Sequence, residues 1–187
     1  MDILTRLLLL EERCLDGFLL EAPDIQFLFE TLQSDASAAE LSLALQILCH
    51  KQASVLPELC ARFDSFPTLA QTLCIATLAT VHHYTPQNFL VTLLARSEKA
   101  DYIALIQAGL IHSPYDVSPV LLAALEQHPP AIHSRFWYCI NARGFSKIQP
   151  YLLTCLSLPH EKELRHYFGD ACINTFQADK EKKLNLS

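Results

Sequence analysis

Leu, Ala, Ile, Val and Phe recur at three- and four-residue spacings along most of this chain, and no segment alternates apolar and polar residues over a strand length. That periodicity predicts amphipathic helices throughout. Helix-start signals fall near Asp24, Ser54, Thr85, Ser118 and Ser146, about thirty residues apart, and each leads into two apolar-periodic stretches of about ten to sixteen residues. A helix pair that cannot bury its own apolar face stacks on a neighbour. The pattern therefore predicts an all-α protein of stacked antiparallel helical hairpins, about eleven helices in all, arranged as a helical array or as a compact irregular bundle.

Local punctuation sharpens the element list. Asp2 is a good N-cap for a helix reaching about Asp16, and Gly17 stops it. Ser37-Ala-Ala-Glu40 is a capping box, in which serine and glutamate each satisfy the other's backbone donor; it opens a helix to about Lys51. Ser65-Phe66-Pro67 leads into the apolar segment Leu69–Val81. Thr85-Pro86 and Ser118-Pro119 place a capping hydroxyl before a proline at the first helical position, where its missing N–H costs nothing. Ser97-Glu98 opens a helix that Gly109 is expected to end. Pro129-Pro130 opens one through Trp137, with Gly144 beyond it, and Ser146 begins the next, with Pro150 in its first turn. Pro159 starts another that Gly169 ends or weakens, followed by a short helix around 171–176. Residues 1–177 read as a single helical domain and the polar residues 178–187 as a disordered tail. Over residues 24–168 the pattern resembles HEAT- or armadillo-like arrays, although repeats there are nearer forty residues long and no diagnostic consensus occurs here.

Composition supports the same class. Thirty-four leucines, four glycines and few β-branched residues favour helix over strand. Apolar residues make up 51% of the chain, with charged residues at 18%, which raises the question of a membrane span. The run Leu7–Leu10 is closed by Arg6 on one side and by Glu11, Glu12 and Arg13 on the other, and the Leu69–Val81 segment is closed by His82 and His83. Both fall short of the roughly twenty apolar residues a spanning helix needs, and neither reads as a secretory signal. The seven cysteines are scattered and mostly flanked by apolar residues, as expected of buried reduced thiols in a cytoplasmic protein. A net charge of −6 argues against nucleic acid, which requires a concentrated basic surface; the one basic cluster, Lys180, Lys182 and Lys183, is diluted by Asp179 and Glu181.

Candidate chemistry is sparse. No two cysteines lie within four residues, and Cys49-His50 and His82-His83 point in different directions on a helix, so metal-ligand spacing is missing. Glu163 and His166 have E-x-x-H spacing, but a di-iron bundle needs two such motifs and two further carboxylates. Cys139, near Arg135 and Arg143, could carry a lowered pKa or be a helix-buried thiol, and the second reading is preferred. No Gly-rich phosphate loop or nucleophile elbow occurs, and Glu11-Glu12 needs no special role. No cofactor, metal or catalytic residue is assigned.

The densest recognition feature is Arg135-Phe136-Trp137-Tyr138, with Arg143 just beyond; it holds the only tryptophan. Arginine and aromatic residues dominate binding hot spots, and three adjacent aromatics on a helix cannot all face one core. The expected default packs Phe136 and Trp137 inward and leaves Tyr138 at the edge. A second candidate is the connection Gly109–Ser118, with His112 and Tyr115, and both segments could serve one site. The partner-binding residues expected are thus Arg135, Trp137, Tyr138, Arg143, His112 and Tyr115. The function read from the chain is a non-catalytic adaptor or scaffold subunit. It would bind a helical segment of another protein in an apolar groove, as part of a hetero-complex rather than a homo-oligomer, and the acidic balance would favour a partner with basic flanks. The alternatives are a small acidic chaperone or coupling adaptor, as in bacterial type III or type IV secretion, and a metal-dependent enzyme.

Overall fold

The computed structural model describes residues 2–51, 53–153 and 158–184. Among them are twelve α-helices, three short 3-10 segments and no strand. Where the sequence predicts one domain, the chain divides into two compact units, Met1–Val117 and Ser118–Ser187.

The first unit holds α1 (Ile3–Leu15), α2 (Ala22–Gln33), α3 (Ala38–Lys51), α4 (Leu56–Arg62), α5 (Thr68–Thr80), α6 (Tyr84–Arg96) and α7 (Ala100–His112). Packing joins alternate helices, α1 to α3, α3 to α5 and α5 to α7, while α2 packs on α3, α4 on α6, and α6 on both α5 and α7. This is a row of stacked hairpins. The row is filled by leucine: Leu7, Leu28, Leu32, Leu45, Leu48, Leu59, Leu78, Leu90 and Leu94 are fully enclosed.

Local signals set most ends. The Asp2 carboxylate accepts from the Thr5 amide at 2.9 Å, and Gly17 takes φ +87° to turn the chain out of α1. The Ser37–Glu40 box forms in full: the Ser37 amide donates to Glu40 Oε2 at 2.8 Å and the Glu40 amide to Ser37 Oγ at 3.3 Å. Other starts shift. A 3-10 turn at Ala53–Val55 precedes α4, and α6 begins at Tyr84, one residue before the expected Thr85 cap, because His83 Nδ1 accepts from the Thr85 amide at 3.1 Å.

Gly109 does not end α7. The helix runs on to His112, since glycine here serves contact: a Cβ at position 109 would lie 2.6 Å from Ala79 Cβ. The expected loop Gly109–Ser118 shrinks accordingly. Tyr102, near the start of α7, donates to Gln71 Oε1 at 2.8 Å near the start of α5, and Gly109 near the end of α7 meets Ala79 near the end of α5, so the two helices run in the same direction.

The C-terminal end of α5 is closed from outside its own sequence. Fully buried Gln87 of α6 donates through Nε2 to the carbonyls of Leu78 at 3.2 Å and Val81 at 3.0 Å. Both carbonyls also accept backbone amides, so losing Gln87 removes one of two partners from each. Gln87→Met, which keeps the volume, is expected to cost about 1–2 kcal/mol, two ordinary hydrogen bonds. The shift in urea midpoint at constant slope measures it, and an unchanged midpoint refutes it.

The second unit holds α8 (Ser118–Gln127), α9 (His133–Arg143), α10 (Phe145–Leu152), α11 (Glu161–Phe168) and α12 (Asp170–Leu184). Gly144 and Gly169, at φ +88° and +83°, break α9 from α10 and α11 from α12. Arg165 ties the last two helices together. Its guanidinium donates to Glu161 within α11 and to Asp170, Asn174 and Gln177 of α12, at 2.7–3.1 Å. The hydrogen bond from Arg165 holds the Glu161 carboxyl below its usual pKa.

Residues 178–184, expected in a disordered tail, continue α12. Ile173, Phe176 and Lys180 lie buried on one helical face, and Lys180 Nζ donates to the Leu152 carbonyl at 3.4 Å. The lysine stem continues the apolar stripe as a methionine would. Residues 185–187, the rest of that tail, and Cys155 lie outside the described residues.

Candidate interaction surface

His112 and Tyr115 belong to the first unit. His112, exposed at the end of α7, borders an open apolar groove of about 340 Å³ formed with Ala76, Ala79, Leu105, Ala108 and Gly109. Tyr115 is half-buried, and its ring meets His82 edge-on at 5.6 Å.

Arg135, Trp137, Tyr138 and Arg143 belong to α9 of the second unit. Tyr138 is 57% exposed, whereas Phe136 and Trp137 are buried, the default expected of three adjacent aromatics. Trp137 stacks on Tyr167 at 5.3 Å with the rings 16° apart, and meets His160 edge-on at 6.1 Å. It is core and presents no surface. Arg135 and Arg143 are half-buried. Burial pushes the Cys139 thiol up to about 12 against the opposing pull of Arg143, so the helix-buried reading holds and an activated thiolate does not.

Among the described residues, no three His, Cys, Asp or Glu side chains converge as a metal site requires, and no helix is long and apolar enough to cross a membrane. Cys49, Cys74 and Cys139 are buried, Cys14, Cys60 and Cys172 half-buried, and all six are free thiols. Desolvation pushes Cys49 and Cys60 up to about 12 as well.

The most exposed apolar surface lies elsewhere, at residues 4–19. Leu7 and Leu10 turn into the core, and Ile3 and Cys14 share their side of α1. Leu4, Leu8 and Leu9 stand 42–50% exposed, and Leu15, Phe18 and Leu19 stand 62–76% exposed. With a step of about 100° per residue, Leu4, Leu8 and Leu15 form one narrow strip. Phe18 and Leu19 follow past the helix end, where the Phe18 amide donates to the Arg13 carbonyl at 3.0 Å. Glu11 and Glu12 border the strip on its two sides. The basic residues of α1 face the other way: the Arg6 guanidinium covers the Phe27 ring at 3.8 Å, and Arg13 pairs with Asp24 at 3.3 Å. Leu9 sits at the wall of a recess of about 430 Å³ between these arginines and Glu12.

No known relative decides the matter. Comparison with known proteins finds no matching family model and no significant match among curated proteins or solved structures.

In the sequence the leucine strip is masked by the run Leu7–Leu10, which invites a test for membrane spans. The signal was nonetheless present. Four consecutive helical residues point around most of the circumference, so a Leu7–Leu10 run cannot be buried on one side only. Leu7–Leu10 covers more of the circumference than Phe136–Tyr138, so exposure of part of it is the more strongly required.

Proposed function

We propose that this chain is a non-catalytic interaction subunit, an adaptor or scaffold, whose α1 face docks another polypeptide in a hetero-complex. One observation carries the reading. Six large apolar side chains within residues 4–19 are exposed, four on α1 and two just past its end, and exposed apolar patches of that kind mark interaction surfaces. Free buried thiols fit a reducing, cytoplasmic setting.

The test is affinity purification of the full chain from its native cells at high salt. The wild type is expected to bring down a stoichiometric partner that the Leu8→Glu/Leu15→Glu variant loses while its circular dichroism stays unchanged. A partner retained by the variant, or none recovered with either, overturns the reading.

A further inference from the structure

Resting on that reading of α1, we infer that the occupant of the leucine strip is an amphipathic helix of a different protein, with leucine-like anchors at i, i+4 and i+11 and lysine or arginine on both flanks.

Charge decides between this occupant and a second copy of the chain. Glu11 and Glu12 border the strip on either side, and Asp16 follows on the Glu12 side, while both arginines of α1 are turned away, on Phe27 and Asp24. The rim of the strip is therefore acidic on both edges, within a chain of net charge −6. Self-pairing meets a conflict, of like charges or of a leucine against a glutamate, in each of three registers. An antiparallel pair that opposes Leu8 to Leu15 also opposes Glu11 to Glu12. Shifting it to set Leu4 against Leu15 puts Leu8 against Glu11. A parallel pair sets each glutamate against itself. Like charges across a helix interface disfavour the wrong partner, and opposite charges at flanking positions choose the right one. A heterologous helix with basic flanks meets the leucines and both glutamates together.

The probes are two fluorescein-labelled synthetic helical peptides sharing one leucine strip, one flanked by lysines and the other by glutamates. Each is titrated with the full chain and followed by anisotropy, at about 50 and about 300 mM salt. The lysine peptide is expected to bind at least about tenfold more tightly at low salt. That ratio should shrink at high salt, where surface charges are screened within about 10 Å or less. Glu11→Gln/Glu12→Gln should bring the ratio toward one, and Leu8→Glu/Leu15→Glu should abolish binding of both peptides. Equal binding of the two peptides overturns the charge inference and leaves the docking face standing. No binding, with sedimentation showing a dimer that Leu8→Glu dissociates, makes a second copy the occupant and overturns the inference. No binding by a monomer overturns the inference and the proposed function together.

Discussion

Trp137→Ala is expected to remove about 3–5 kcal/mol from the second unit, the usual cost of deleting a buried large aromatic side chain. Trp137 is 2% exposed, and its ring lies face to face with Tyr167 of α11 and edge to face with His160. The deletion therefore removes a stacked ring pair from the contact between α9 and α11. Faster amide exchange across α9 and α11 is the measurement. Two comparisons isolate the cause. Tyr138→Ala, one residue along but 57% exposed, should change stability by no more than about 0.5 kcal/mol. Trp137→Phe should cost less than about 1.5 kcal/mol, because the buried indole N–H has no hydrogen-bond partner among the described residues and its removal offsets part of the lost packing. Unchanged exchange in Trp137→Ala would mean the ring is not core.

Gly109→Val is expected to cost about 3 kcal/mol, at the upper end of ordinary overpacking, and even Gly109→Ala should destabilise. Two terms oppose each other in the alanine variant. Replacing a mid-helix glycine by alanine favours the helix by about 1 kcal/mol. Against that, the new methyl would sit 2.6 Å from Ala79 Cβ, where carbon pairs settle at about 3.5–4.0 Å. Neither methyl can swing away, so α5 and α7 must separate along their length, and α5 also packs on α3. The packing term wins, for a net loss of about 1–2 kcal/mol. Restoring the space with Ala79→Gly in the same chain should recover most of the loss, a coupling that a double-mutant cycle reads directly. A rise in Tm for Gly109→Ala alone would show that the helices do not meet there.

Both predictions concern positions that the sequence presents one way and the fold uses another. Gly109 reads as a helix stop because glycine is the common residue past a helix end. Nothing local distinguishes a stop from a notch cut for a neighbouring helix 30 positions earlier in the chain. Trp137 reads as a recognition residue by type and, as one of three adjacent aromatics, as an inward-packing residue by default; only the packing decides between the two. The leucines of α1 show the converse. Their excess over one buried face is legible, but which of Leu4, Leu7, Leu8, Leu10 and Leu15 faces solvent depends on where α3 lies.

By itself, the sequence determined the helical class, the roughly thirty-residue hairpin spacing, and the ends marked by Asp2, Gly17, Ser37 with Glu40, Gly144 and Gly169. Each of those signals acts within about four residues, through a cap bond or a positive φ, and so survives any tertiary arrangement. The tertiary structure alone decided the division after Val117, the continuation of α12 through Lys180, the rings that enclose Trp137 and the exposure of the α1 strip. Those outcomes depend on which apolar faces find partners at long range. A face is buried or bare only relative to another helix, and helix periodicity says where a face is without saying what covers it.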